Sequence, residues 1–357
     1  MVPTRIGFLS QGVSMLYTRR DMGKVALAAL PLARAIGAPK INSKVDGVQV
    51  GAITYSFGGM NLDDVIKAYM DIGLGEMELM SNTAETAAGA PTPPQGAGRG
   101  QGRGPGGPGG GQGRGPGGAG RAAAPRTPRP PMTEEQIAAA RATPRAQELL
   151  KWRKELSMDK FKDVRKKVND AGIDIEILCF NMNEAITDDE IDYAFVMAKT
   201  LGAKAISTST QVTVAKRVAP FAEKHKMLIG FHGHDNDADP NETGSLESYA
   251  KALSYGKFNG VNLDIGHFTA ANYDAIAFIK ENHARITNLH VKDRKKDHGP
   301  NVVWGEGDTP IKPVLQLVKK EKYKFPANIE LEYPVPEGSD RVAEVKKCLA
   351  YMKQALA

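Results

Sequence analysis

Residues 260–293 read GVNLDIGHFTAANYDAIAFIKENHARITNLHVKD, and this stretch decides the fold. The runs GVNLDIGH (260–267) and RITNLHVKD (285–293) are short and rich in apolar and β-branched residues, which is typical of buried strands. Between them, NYDAIAFIKENHA (272–284) spaces its apolar residues as a helix does. A strand, a helix and a second strand in this order predict two parallel strands joined by a crossover helix.

The same unit repeats along the chain. Runs of strand character occur at 48–57, 76–81, 173–181, 203–210, 226–234, 260–267, 285–293 and 327–333. Helical patterns occur at 61–73, 159–172, 188–202, 213–226, 245–256, 272–284, 310–322 and 340–357. Eight alternating units predict an α/β protein with a (β/α)8 TIM barrel rather than an open sheet. No G-x-G-x-x-G follows the first strand, which disfavours a dinucleotide-binding fold.

The N-terminal segment has the composition of an export signal. TRRDMGKVALAALPLARAIGA (18–38) places Arg19-Arg20 directly ahead of an Ala/Leu-rich run, and it resembles a twin-arginine secretion signal. An ordinary amphipathic helix is the alternative. We therefore predict a leader over 1–44, a barrel domain over 45–357 and a periplasmic or secreted protein. The apolar run is too short to anchor the mature protein in a membrane.

A Gly/Arg/Pro-rich insertion interrupts the barrel after its second strand. Residues 83–131 include GRGQGRGPGGPGGGQGRG, which cannot bury enough apolar surface to offset chain entropy, so we predict disorder there. The Gly-Arg repeats also resemble RNA-binding segments, but they contain no Phe or Tyr to stack on bases. Thr133, followed by Glu134 and Glu135, predicts the start of a helix beyond the insertion.

Charge and cysteine content narrow the class of protein. The formal net charge is +6, yet outside residues 1–40 and 83–146 there are 33 basic and 37 acidic residues. The barrel is therefore mildly acidic, and a nucleic-acid partner is not expected. The two cysteines, Cys179 and Cys348, lie in apolar contexts. This excludes a disulfide-rich scaffold and a cysteine zinc site.

Polar side chains collect at the ends of the predicted strands, where barrel enzymes carry their chemistry. They are Glu78 on strand two, His232 and His234 on strand five, Asp264 and His267 on strand six, His290, Lys292 and Asp293 on strand seven, and Glu330 and Glu332 on strand eight. Alternation along a strand places residues i and i+2 on one side. Imidazoles and carboxylates converging from neighbouring strands suit Mn²⁺, Co²⁺, Zn²⁺ or Fe²⁺. Each residue alone also fits a hydrogen-bonded barrel histidine or a surface acid.

The succession VNLDIGH, NLHVKD, WGEGD and IELEY resembles the xylose isomerase-like barrels of the sugar phosphate isomerase/epimerase group, over residues 48–355 less the insertion. The resemblance implies one divalent metal ion (Mn, Co, Zn, Fe or Mg). Its ligands would be His232, Asp264, His290 and Glu330, with Glu332 as the alternative to Glu330. The family usually has Glu where this chain has His232. His234 matches a histidine that contacts substrate.

The implied reaction begins with removal of a proton next to a carbonyl that the ion polarises. We assign Glu330, Glu332, His234 and Lys292 to catalysis, with a glutamate as the base. Glu78, His267 and Trp304 are assigned to substrate contacts, the last by stacking on a sugar ring. Asp235 and Asp237 are expected to be loop or capping residues.

These assignments predict an isomerase or epimerase acting on a sugar or keto-sugar through an enediolate. A lyase or dehydratase acting on a keto-sugar or glycoside would use the same intermediate. A non-catalytic carbohydrate-binding barrel and a metal-dependent endonuclease are the alternatives from other classes. The expected partner is a small carbohydrate, and a homo-oligomer is compatible with the sequence.

Overall fold

The computed structural model describes residues 38–91 and 128–357. Within these, the chain folds as part of one compact unit, Pro39–Ala357. Residues 1–37 of the predicted leader and residues 92–127 of the predicted insertion lie outside the described residues. The twin arginine and the Gly-Arg repeats are therefore not described.

The described residues form a closed barrel of eight parallel strands. They are β1 Val48–Ile53, β2 Glu76–Met80, β3 Asp174–Cys179, β4 Ala205–Ser209, β5 Leu228–His232, β6 Asn259–Asp264, β7 Ile286–Val291 and β8 Ala327–Ile329. Each strand pairs with the next along the chain, and β8 pairs with β1 through Val50–Ala327, Gly51–Asn328 and Ala52–Ile329. The predicted TIM barrel is confirmed. Each strand lies inside a run that the sequence indicates, except that β6 begins one residue before its run of 260–267.

Helices surround the barrel. They are α1 Leu62–Ile72, α2 Ser81–Ala87, α3 Glu134–Arg141, α4 Pro144–Glu155, α5 Asp159–Asp170, α6 Asp188–Leu201, α7 Val212–His225, α8 Leu246–Ser254, α9 Ile265–Ala270, α10 Ala275–Asn282, α11 Ile311–Glu321 and α12 Arg341–Leu356. The short 3-10 turns Thr54–Phe57 and His283–Arg285 join them. Helices α2, α4 and α9 were not predicted. None of these helices is long and apolar enough to cross a membrane, as far as the described ranges extend.

Local chemistry explains where the helices begin and what they bury. Helix α6 begins at a capping box in which Thr187 and Glu190 satisfy each other's backbone N–H groups. Helix α3 begins at Thr133 with the same kind of box, as the sequence predicted. Helix α5 buries Phe161, Val164 and Val168 on one face, so its apolar stripe packs against the barrel.

Residues next to both predicted boundaries make contacts with the barrel unit. Ile41 donates its backbone N–H to Gly172 O (2.9 Å), and Ser43 donates its hydroxyl to Val50 O (2.6 Å). These residues of the predicted leader are thus part of the barrel unit. Residues 83–87, assigned to the insertion, lie in α2, where Glu85 accepts two hydrogen bonds from Arg153. Arg153 is 68 residues from Glu85 in the sequence. Composition alone therefore could not indicate the contact that stabilises this helix.

Candidate metal centre

Four buried side chains meet at the carboxyl ends of β5–β8. His232 ends β5, Asp264 ends β6, His290 lies in β7, and Glu330 follows β8. One potential ligand atom of each lies within 4.8 Å of those of the other three. The structure thus brings together the four residues that the sequence assigned to the ion. We call them the four-residue group.

Two carboxylates fix the orientation of the His290 ring. Its Nδ1 lies 3.0 Å from Glu330 Oε2, and its Nε2 lies 2.8 Å from Glu78 Oε2. Burial alone would lower the pKa of His290, but the negative charges of Glu330 and Glu78 outweigh it and raise this pKa well above its usual value. A carboxylate behind a histidine is the usual way to orient a metal-ligating ring, so Glu78 leaves Nδ1 facing the other members of the group.

Glu78, which the sequence assigned to substrate contact, lies inside the barrel and bonds other side chains there. Its side chain is fully buried in the barrel interior. Oε1 accepts a hydrogen bond from Ser207, and Oε2 accepts from Asn288 (2.8 Å) and Asn328 (2.9 Å). Both Glu78 oxygens are taken up by these contacts and by the His290 ring, which indicates that the side chain positions His290.

The His232 imidazole is neutral and incompletely bonded. The residue is 6% exposed, and its Nδ1 has no hydrogen-bond partner among the described residues. Burial and the neighbouring His290 lower the pKa of His232 well below its usual value. A buried ring nitrogen normally finds a partner, and a neutral imidazole is the form that binds metal. The donor set therefore fits a divalent ion.

Lys292 supplies a positive charge inside the same cluster. Its Nζ lies 2.8 Å from Asp264 Oδ2, 2.7 Å from Glu330 Oε2 and 2.6 Å from Glu332 Oε2. Burial opposes the charge, but these three carboxylates raise the pKa of Lys292 well above its usual value. The Lys292 side chain packs directly against Gly266. A Cβ at position 266 would lie 2.3 Å from Lys292 Cγ, so a larger residue there would clash with the lysine. An ion entering the four-residue group must share or replace this ammonium.

Glu330 and Glu332 have different surroundings. Burial would raise the pKa of Glu330, but His290 and Lys292 lower it well below its usual value. The Glu332 side chain is 22% exposed and bonds Lys292, with Asn301 Nδ2 at 3.4 Å. Glu330 therefore lies among the candidate ligands, and Glu332 is the more accessible carboxylate.

His234 and His267 lie next to His232 at the edge of the four-residue group. One ring nitrogen of each lies within 4.8 Å of one on His232, and we call these three residues the three-histidine group. His234 Nδ1 lies 3.0 Å from Glu242 Oε1. Burial lowers the pKa of His234, but the hydrogen bond and charge of Glu242 raise it overall. Between the two β5 histidines, only glycine fits at 233, because a Cβ would lie 1.6 Å from the Tyr249 hydroxyl oxygen.

Sequence reasoning missed the residues that hold these histidines. Asp235 lies 3.3 Å from His267 Nδ1 and accepts a hydrogen bond from Arg294 Nη2 (3.0 Å). It was expected to be a loop or capping residue. Despite burial, His267 and Arg294 hold the pKa of Asp235 far below its usual value. Asp235 follows GFHGH directly, so an acidic residue near the histidines was visible in the sequence. Its partners His267 and Arg294 lie far away in the sequence, so its role was not.

Two further predicted residues have structural roles. Asp293 accepts backbone hydrogen bonds from Gly305 (2.8 Å), Gly307 (2.9 Å) and Thr309 (3.2 Å), so it shapes the loop after β7. Trp304 is only 8% exposed and packs edge-on against Tyr351, with ring centroids 5.9 Å apart. The structure places this indole in the core rather than at a position for stacking on a sugar, because α12 covers it.

His267 should titrate at an unusually low pH. Burial, together with the charge of Lys292, lowers its pKa to about 4. In chelator-treated protein we expect one imidazole proton resonance with a midpoint near pH 4, absent in His267→Gln. Between about pH 4 and pH 6.5 the unfolded chain binds more protons at this residue than the folded chain does. The free energy of unfolding therefore falls as the pH drops through that window. A His267 midpoint at or above 6.5 would contradict this environment.

The profile of the xylose isomerase-like TIM barrel family matches residues 137–355. The chain belongs to this family. The search of curated proteins finds no match to the sequence.

Solved structures of the xylose isomerase-like fold resemble the chain at low sequence identity. A sugar phosphate isomerase/epimerase from Parabacteroides distasonis is 16% identical, with a TM-score of 0.53 over 89% of this chain and 97% of the other. A probable 3-DHS dehydratase from Bacillus anthracis is 12% identical, with a TM-score of 0.52 over 86% and 98%. The IolI protein, solved with a zinc atom, is 13% identical, with a TM-score of 0.53 over 86% and 97%. At these identities the likeness establishes the fold alone.

Proposed function

We propose that the chain is a divalent-metal-dependent isomerase or epimerase that acts on a sugar or keto-sugar through an enediolate. The observation that carries the proposal is the four-residue group at the ends of β5–β8, with the accessible carboxylate of Glu332 beside it. Its place in a xylose isomerase-like barrel supports the reaction class.

His232, Asp264, His290 and Glu330 would hold the ion. The unpartnered Nδ1 of His232 and the Glu78 carboxylate behind His290 support this assignment. Mixed nitrogen and oxygen donors favour Mn²⁺, Co²⁺, Zn²⁺ or Fe²⁺ over Mg²⁺. Such an ion acts as a Lewis acid that polarises a carbonyl and makes the neighbouring C–H more acidic.

The chain's own residues supply proton transfer and orientation. Glu332 is the base that removes the α-proton, because it is the most exposed of the three carboxylates around Lys292. Lys292 donates a hydrogen bond to the substrate oxygen that gains negative charge. Because the ammonium is buried, it stabilises that charge more strongly than it would in water. His234, held by Glu242, is the acid that returns a proton.

A lyase or dehydratase is the second candidate, and the histidine at position 232 favours it. Epimerisation takes a proton from one face of the substrate and returns it on the other, which needs two bases. Here Glu332 is the carboxylate at the rim, and His234 is the nearest accessible acid. One base and one acid are sufficient for elimination of water or an alkoxide from a keto-sugar or glycoside.

We also propose that the protein works outside the cytoplasm on a free sugar, a keto-sugar or a glycoside. The support is the twin arginine, Arg19-Arg20, ahead of its apolar run. A phosphorylated sugar of the cytoplasm would not meet an exported enzyme.

The test is metal-dependent exchange of the α-proton. Chelator-treated protein is incubated in D₂O with a panel of sugars, keto-sugars and glycosides, with and without Mn²⁺, Co²⁺ or Zn²⁺. We expect deuterium at the α-carbon of at least one compound by NMR, only with ion present, and loss of water or alcohol if the enzyme is a lyase. A bound ion without exchange on any compound would support a carbohydrate-binding barrel instead.

A further inference from the structure

We propose that Arg294 fixes the tautomer of His267, so that the Nε2–H of this ring is a permanent hydrogen-bond donor to a substrate oxygen. In this proposal Arg294 is a positioning residue, and His267 is the residue that contacts substrate. The inference rests on the proposed function, because it names a donor for an oxygen of the same enediolate.

The contact with Arg294 makes His267 Nδ1 an acceptor. Arg294 Nη1 lies within hydrogen-bond distance of this nitrogen. A guanidinium has N–H donors but no acceptor, and it stays charged in proteins. A proton on Nδ1 would therefore point at another N–H group. The single proton of the neutral ring must then lie on Nε2.

Asp235 supports this arrangement through the guanidinium. Its Oδ2 accepts a hydrogen bond from Arg294 Nη2 at 3.0 Å, whereas its Oδ1 lies 3.3 Å from His267 Nδ1. The shorter, charge-assisted bond is the stronger of the two contacts. Asp235 therefore holds the guanidinium against the ring rather than taking a proton from it.

The guanidinium is also anchored on its other side. Gly299 O accepts hydrogen bonds from Arg294 Nε (3.2 Å) and Nη2 (2.7 Å). The arginine is only 6% exposed, and its planar group is rigid. Bonds to Nε and Nη2 thus fix the direction of Nη1, which keeps this donor on His267 Nδ1.

The Nε2–H of His267 faces the candidate site. Glu332 Oε2 lies 3.8 Å from this nitrogen, and Asp264 Oδ2 lies 4.0 Å from it, so both carboxylates are beyond hydrogen-bond range. The backbone N–H of His267 donates to Asp264 Oδ1 at 2.8 Å, which holds the residue at this edge of the site. Within the part of the chain that the structure describes, the Nε2–H is therefore left for a ligand.

Two donors flank the same space. Lys292 Nζ lies 2.6 Å from Glu332 Oε2 and 2.8 Å from Asp264 Oδ2, the same oxygens that lie near His267 Nε2. An enediolate has oxygens on adjacent carbons. Lys292 donates to one of them in the proposed function, and His267 is placed to donate to the other. A neutral imidazole can stabilise such an oxygen by hydrogen bonding, without transferring its proton.

Nitrogen-15 NMR of the imidazoles in the full chain, with and without Zn²⁺, tests the tautomer directly. His267→Gln assigns the ring through the resonances that it removes. At neutral pH we expect an unprotonated Nδ1 and a protonated Nε2 in the original chain. Arg294→Met removes the donor and allows Nδ1–H to donate to Asp235, so it should move the proton to Nδ1.

Exchange of the α-proton in D₂O tests the consequence for the reaction. Arg294→Met should slow exchange by about 100-fold, the usual effect of losing one donor to an oxyanion, and mainly through kcat rather than KM. Arg294→Lys retains a charged donor and should recover part of this rate. Arg285→Met is the matched control, because Arg285 is partly buried and bonds the backbone carbonyls of Leu253 and Gly256 just before β7. It should keep both the tautomer and the exchange rate.

A protonated Nδ1 in the original chain would overturn the inference and leave the proposed function standing. This result needs no variant at Arg294, so it is decisive even if Arg294→Met does not fold. A tautomer that survives Arg294→Met overturns the inference too. So does an altered tautomer whose exchange rate equals that of Arg285→Met, because the donor would then not serve the reaction. If the original chain exchanges no compound, the proposed function fails, and the role of His267 as donor fails with it.

Discussion

Replacing Lys292 with methionine is expected to lower the free energy of unfolding by about 3–5 kcal/mol in metal-free protein. Lys292 is 2% exposed and pairs with Asp264, Glu330 and Glu332. Methionine matches the length of the side chain but removes the charge. The carboxylates would then repel one another in a buried setting, and breaking a buried pair from one side leaves charges uncompensated.

A divalent ion should restore much of this loss. Without the ammonium, the four-residue group offers an ion its full set of oxygens and imidazoles. Ligand binding to the folded state raises stability by mass action, so Zn²⁺ or Mn²⁺ should stabilise Lys292→Met more than the original chain. Denaturant unfolding with and without ion measures both effects. Lys295→Met, at a lysine side chain that is 45% exposed, is the matched control. A loss below about 1 kcal/mol would show that Lys292 does not compensate these carboxylates.

Replacing Glu332 with glutamine is expected to lower kcat by about 10²–10⁴-fold, the usual contribution of a general base. The amide keeps the shape and can still accept from Lys292, but it cannot take a proton. Since Glu332 lies outside the four-residue group, ion content should be unchanged. The rate of α-proton exchange in D₂O and the metal content, measured on the same samples, separate the two effects.

Glu337→Gln provides the control for Glu332, because Glu337 is an exposed acid in the same loop. It should keep both exchange rate and ion content. If Glu332→Gln keeps its exchange rate while Glu330→Gln loses it, the base would be Glu330, and our division of roles between the two glutamates would be wrong.

The barrel itself was determined by the sequence. Strand runs such as 260–267 and 285–293 alternate with helical patterns because each strand and helix buries its apolar residues locally. That periodicity located the barrel strands and placed His232, Asp264, His290 and Glu330 at the carboxyl ends of neighbouring strands. A parallel barrel brings those ends to one rim, so the convergence of these side chains was predictable without coordinates. The resemblance to the xylose isomerase-like barrels then singled out the four-residue group.

Only the tertiary structure decided what each side chain does at that rim. Glu78 was grouped with the strand-end residues, yet it lies in the middle of β2, is buried inside the barrel and orients His290. Trp304 lies in a loop of the catalytic face, yet α12 buries it. Lys292 reaches three carboxylates from β6 and β8 because Gly266 leaves room for it. These outcomes depend on side-chain directions and partners that are distant in sequence, and local periodicity carries no information about either.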